Sequence, residues 1–272
     1  MKGRMVSILA RVGYAGRGSV YLIIGGMAVA AAFGAGRNPS GSKDALKAVF
    51  AQPLGTTLVA LIAVGLVCFS VWRAAQSLLD ADRIGSDGPA FRKRVAQFFS
   101  GIIYLSLAAS AVTLILGYKL ADDEQNARDW TGYLMSLPAG RVIVFIIGIA
   151  VICAGFRFIW KSWTGEMGHR LKAHANRNLG KLLGRTGHLA RGVVFAIAGG
   201  GLLVASYKAD PAEAHGLGEA LFQLQQQPFG PYLYGATAIG LFAFGAFQIF
   251  IAIYRDIKPP ATISRPSTLL RI

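Results

Sequence analysis

The sequence predicts an all-α membrane protein: six transmembrane helices forming three parallel hairpin repeats around a pseudo-threefold axis, with short amphipathic helices on the outer face. Three observations point there. Of the 272 residues, 54% are hydrophobic and 15% charged, where an ordinary soluble domain carries about 25% charged residues. The apolar residues gather into long uncharged runs, and one helix hairpin is written three times along the chain. With a mean hydropathy of +0.48, the chain cannot bury its apolar side chains in one soluble core and keep a wettable surface.

The runs Gly18 to Gly36, Leu54 to Trp72, Val95 to Tyr118 and Ala220 to Tyr254 contain no Asp, Glu, Lys or Arg. About 20 apolar residues, rising about 1.5 Å each, cross a hydrocarbon core of about 30 Å, so each run is long enough to span. Val142 to Phe156, between Arg141 and Arg157, and Gly192 to Tyr207, beside Arg191, reach spanning length if those arginines snorkel to the interfaces. The expected count is therefore six. The first span has the basic start and small-residue end of a cleaved signal peptide. The fifth span copies it, however, so it reads as a retained helix.

The net charge of +15 is unevenly placed. The N-terminus, the loop from Arg83 to Arg94, the loop from Lys161 to Arg185 and the C-terminal tail share one side of a six-span chain. That side carries 21 basic residues and 5 acids, and the other side 7 and 8. This positive-inside bias places both termini in the cytoplasm. It makes anionic membrane lipids the default partner and needs no nucleic acid to explain it. Cys68 and Cys153 fall inside spans and read as small interior residues. His169, His174, His188 and His215 lack companion acids or thiols, so neither a metal site nor a cofactor is expected.

The repeats run from 11 to 79, 94 to 163 and 185 to 254 within one membrane domain (1–272), and leave 255–272, with Pro259, Pro260 and Pro266, as a flexible cytosolic tail. Repeat one opens Arg11-Val-Gly-Tyr-Ala-Gly-Arg17-Gly18 and repeat three Arg185-Thr-Gly-His-Leu-Ala-Arg191-Gly192, each with an aromatic three residues on. Repeat two is degenerate, Arg94 to Ser100-Gly101, with Ser100 where the others have arginine. Each second half opens with Pro-x-Gly: Pro53 and Gly55, Pro138 and Gly140, Pro228 and Gly230. Proline suits a first helical turn, so this motif should start each even-numbered span. The segments before it, such as Ala45 to Ala51 and Ala220 to Leu224, read as amphipathic surface helices. Nine residues before each proline stands an acid, Asp44, Asp129 or Glu219, placed to favour the positive end of such a helix. Gly26, Ala30, Gly34 and Gly192, Ala196, Gly200 form small-residue stripes suited to close helix contact.

The Arg-Gly pair after Arg-x-Gly, the following aromatic and the Gln-Pro-x-Gly turn resemble a bacterial membrane family. Its members carry a tandem two-helix domain catalogued only as a domain of unknown function. The resemblance covers about Arg11 to Tyr254 and implies six spans in a bacterial inner membrane, with no assigned activity.

Arg17 and Arg191 are the sharpest candidates: a guanidinium there can grip a phosphate with paired hydrogen bonds, or serve as a snorkelling anchor. Arg11, Arg94 and Arg185 recur in all three copies, as a cytoplasmic basic ring or as topology determinants. Asp44, Asp129 and Glu219 bind a cation if they converge and cap helices if they do not. Arg73 and Arg157, with Trp72 and Trp160, read as an interfacial belt. No Asp, Glu or His is expected mid-span, which disfavours proton-coupled transport and metalloenzyme chemistry. The reading is a non-enzymatic protein that binds or organises anionic lipid, or a membrane partner or second copy of itself. The alternative is a small-solute or ion permease with its path along the pseudo-threefold axis.

Overall fold

The computed structural model describes residues 2–34, 41–82, 84–85, 87–165 and 175–257. His169, His174, Arg83 and the tail prolines lie outside these. Among the described residues six helices are long and apolar enough to cross a membrane: α1 (Lys2–Ala32), α3 (Gly55–Leu78), α4 (Gly88–Ile115), α6 (Gly140–Thr164), α7 (Arg177–Lys208) and α9 (Gly230–Tyr254). Three short helices, α2 (Ser42–Phe50), α5 (Asp123–Met135) and α8 (Leu217–Gln225), each precede an even-numbered span. Leu61, Ile103, Val142, Ile146 and Phe242 stand exposed on the long helices, as lipid-facing side chains must.

The turn between short and long helix is the same three times, and differs from the expected one. Proline lies two positions ahead of the helix. The residue after it takes the left-handed conformation, with φ of 64° at Leu54, 58° at Ala139 and 62° at Phe229. The glycine then opens the helix, its N–H donating to Gln52, Leu137 or Gln227 carbonyl oxygen at 2.7–2.8 Å. Glycine is required there by space: a Cβ on Gly55, Gly140 or Gly230 would fall 1.9–2.1 Å from the carbonyl oxygen of Phe50, Leu134 or Gln225.

Each even-numbered span packs on the first span of the next copy: α3 on α4, α6 on α7 and α9 on α1. Equivalent glycines make these contacts. A Cβ on Gly18 would meet the Gly245 carbonyl oxygen at 3.0 Å, and one on Gly192 the Gly155 oxygen at 2.8 Å. In the third pair Ser70 replaces a glycine, and its hydroxyl donates to the Gly101 carbonyl at 2.6 Å. Within copies, α1 packs on α3 and α7 on α9. In copy two, α4 and α6 do not pack along each other among the described residues, and α6 rests on α7 and α5. The bundle is therefore open between α4 and α6.

Two interior expectations are corrected. On the seams with the even-numbered span of the neighbouring copy, the close-contact glycines of α1 and α7 are Gly18 and Gly25, and Gly192 and Gly199, spaced by seven residues. Gly26 and Gly200 have no heavy atom within 4 Å of an added Cβ. Seven-residue spacing keeps a neighbour on one seam, where the four-residue stripe drifts off it. Cys68 is half-buried and Cys153 exposed, so the second thiol faces outward and is not interior.

Candidate functional site

Arg11 donates to the carbonyls of Ala252, Ile253 and Arg255, the last at 3.0 Å, at the end of α9. Arg94 donates to Ser77 at 2.6 Å and Leu78 at 3.2 Å at the end of α3. Arg185 reaches the Trp163 carbonyl of α6 at 3.4 Å. Each caps the C-terminus of the long helix packed against it, where orphan carbonyls and the negative end of the helix dipole favour a cation. Charged hydrogen bonds contribute about 1.5–3 kcal/mol, and the number and length of the bonds set an order. Arg11→Ala should cost most, Arg94→Ala somewhat less and Arg185→Ala less than about 1 kcal/mol, read as thermal midpoints in detergent.

Arg17 and Arg191 lie six residues further along their helices, about 9 Å deeper at about 1.5 Å per residue. Both are buried, 5% and 8% exposed, and point into the bundle, where a snorkelling anchor would point out. The Arg17 guanidinium stacks on Phe69, Tyr104 and Phe244 at 4.8–5.1 Å, and its Nε donates to the Tyr104 hydroxyl at 2.7 Å. Arg191 stacks on Phe158 and Phe244 at 4.6 Å and on Phe195 at 5.1 Å. Arg73 shares the Phe69 ring at 4.9 Å and donates to Gln76 at 2.9 Å. Guanidinium and aromatic planes thus alternate across the bundle: Arg73, Phe69, Arg17, Phe244, Arg191, Phe158. Nε of Arg73 and of Arg191 is buried without a hydrogen-bond partner. Among the described residues no carboxylate pairs with any of the three.

Arg73 was not legible as part of this group; beside Trp72 it read as an interfacial belt. Trp72 is itself buried, its Nε1 donating to the Tyr14 hydroxyl at 3.3 Å, while Arg157 and Trp160 stay exposed as expected. Tyr14, Gln97 and His188 hold equivalent positions in the three copies and are all buried. That shared polar column was a signal available in the repeat comparison. His188 also corrects the expectation of no histidine mid-span: α7 starts at Arg177, so His188 lies well inside it, among Phe158, Phe244 and Phe247. Toward the termini the cluster is closed by Arg255, which bonds Tyr14 and pairs with Asp82 at 3.0 Å, and by Gln76, which donates to Asp82 at 2.7 Å.

At the opposite end the acids are arranged differently from the repeat pattern. Asp44 and Glu219 sit in the first turns of α2 and α8. Asp129 does not, because α5 begins at Asp123; it lies mid-helix, accepting from Gln125 at 2.7 Å. The caps come from the start of α5. Asp123 accepts the Lys43 N–H of α2 at 2.8 Å, and Glu124 accepts the Gly216 and Glu219 N–H groups of α8 at 2.8 and 2.9 Å. Burial holds the Asp123 carboxyl above its ordinary value against the pull of the Lys43 N–H. Hydrogen bonding to Lys47 holds Asp122 below its own. Among the described residues no three His, Cys, Asp or Glu are grouped to hold a metal ion. Glu124→Ala removes two N-terminal acceptors at once. It should lower stability by about 1–2 kcal/mol, read by denaturation, with Glu124→Gln recovering part of it.

Six helices apolar and long enough to span, in three tandem pairs with a cationic interior, are compatible with a multi-pass membrane protein of repeat architecture. The chain belongs to the family described as Domain of Unknown Function (DUF1206), whose profile matches three times, over residues 12–80, 95–165 and 186–255. It is 28% identical over 251 residues to the uncharacterized protein YxxB of Bacillus subtilis (strain 168), covering 91% of this chain and 90% of that one. No solved structure matches it.

Proposed function

We propose that this is a non-catalytic protein of the bacterial cytoplasmic membrane, both termini inside, whose six helices form a pseudo-threefold bundle that binds a phosphate-bearing anion. The short helices then lie at the outer face. Arg17, Arg73 and Arg191 are the binding groups. The observation that carries this is three guanidiniums within the apolar bundle with no carboxylate opposite them among the described residues and two unpartnered Nε–H groups. Taking an ion out of water costs several kcal/mol, and a desolvated cation–π contact returns about 2 kcal/mol. An anion accounts for the balance and for the unpartnered donors. Intramembrane charges of this kind mark functional sites by default.

The test is native mass spectrometry of the protein extracted in mild detergent, beside Arg17→Gln and Arg191→Gln. A defined anionic species bound by the wild type and missing from both variants is the expected result. The same adducts on all three proteins would overturn the reading. The permease alternative adds a requirement, solute-selective flux in proteoliposomes that these substitutions abolish.

A further inference from the structure

We infer that the opening between α4 and α6 seats one anionic phospholipid, its phosphate toward Arg191 and Lys161 and its chains along the facing sides of the two helices. This rests on the anion reading above and specifies its source as the bilayer.

Copy two departs from the other copies in two ways, and both fall at this opening. The within-copy packing is missing, and Ser100, half-buried, stands where the other copies carry an inward arginine. A small hydroxyl thus stands on α4 where the other copies place a guanidinium. On α6, Ala150, Ala154 and Phe158 follow one another at four-residue spacing and so share a face. Phe158 turns that face toward Arg191. Ala154 is half-buried and Ala150 exposed, so the face is not fully covered by another helix, and its small side chains would floor the channel in which the lipid lies. Lys161, three residues beyond Phe158 on the same side, is half-buried and feels the charges of Lys93, Arg73 and Arg157. It has no acidic partner among the described residues. A channel walled by apolar side chains, ending at cations that lack counterions, matches a lipid with an anionic headgroup at the cytoplasmic side. A soluble anion would satisfy the cations and leave the channel unexplained.

The experiment uses the full chain, stripped of lipid in detergent, with phosphatidylglycerol and inorganic phosphate as separate probes. Retention of phosphatidylglycerol is read by native mass spectrometry and phosphate binding by thermal shift. Ala150→Trp, with Ala154→Leu as the milder second variant, fills the channel without touching the cations. Ile149→Trp adds comparable bulk on the opposite side of α6, since Ile149 stands nine residues before Phe158, half a turn round the helix from it, and is exposed. The wild type and Ile149→Trp should hold one phosphatidylglycerol per chain. The channel variants should hold it about tenfold more weakly while keeping the wild-type shift with phosphate. Undiminished lipid in the channel variants, or lipid lost equally from Ile149→Trp, would overturn the seat between α4 and α6 and leave the anion site standing. So would a phosphate shift without any retained lipid. If the wild type shows neither lipid nor shift, the anion reading itself falls.

Discussion

Arg17→Met together with Arg191→Met should raise the thermal midpoint of lipid-stripped protein and abolish the stabilisation that an added phosphate-bearing anion gives the wild type. The two expected effects have opposite signs because the arginines are costly when the site is empty and useful when it is filled. Both guanidiniums are buried, and neither faces a carboxylate among the described residues. Methionine nearly matches the arginine stem in length, fills the space between Phe244 and its neighbouring rings, and makes favourable sulfur–aromatic contacts. Replacing buried charges by well-packed apolar side chains is often stabilising by about 1–4 kcal/mol. Arg17 has the more to lose, since its hydrogen bond to Tyr104 at 2.7 Å goes with it, so most of the gain should come from Arg191. For the filled site, a ligand at a hundredfold its dissociation constant stabilises the wild type by about 2.7 kcal/mol, and the double variant should show none of this. A double variant less stable than the stripped wild type would make the guanidinium–aromatic column a structural brace.

The fold is legible in the sequence to different degrees at different levels. The six spans, the three copies and the Pro-x-Gly turn were legible because apolarity and repetition are local properties of the chain. The role of Arg11 was not. It was found in all three copies, but the carbonyls it caps are more than 240 positions away, on a helix of another copy, and no local pattern points to them. Arg17 and Arg191 stand out in the sequence, but their position along the helix does not. An uncharged run begins at its first uncharged residue, which puts a flanking arginine at the edge. The helices themselves begin at Lys2 and Arg177, well before the charge, and carry it inward. Arg73 escapes the sequence pattern for the related reason that tryptophan beside arginine reads as an interface. The opening between α4 and α6 had only an indirect trace, the degenerate second copy. Departures from a repeat mark places released from the common packing, and here the missing arginine and the missing helix contact fall together.

Gly155→Leu should detach α6, whereas Gly200→Leu, in another of the long helices, should leave stability unchanged or slightly raised. A Cβ at Gly155 would lie 2.8 Å from the Gly192 carbonyl oxygen and 3.0 Å from the Ala196 nitrogen. Both are backbone atoms of a helix that cannot give locally, so the whole of α6 must back away from α7. In lipid no hydrophobic force draws the helices together again, because the chains surrounding them are as apolar as leucine. The loss is close packing, typically about 1–3 kcal/mol for an overpacked site. It falls on a long helix whose other packing, among the described residues, is on the short helix α5. At Gly200 nothing lies within 4 Å, so the new side chain meets no obstacle and the better helix propensity of leucine, by up to about 1 kcal/mol, acts alone. Thermal midpoints in detergent, with protease accessibility of the turn before α6 as a second readout, separate the two variants. Equal destabilisation at both positions would restore the four-residue stripe as the contact surface and remove the reason for placing the opening beside α6.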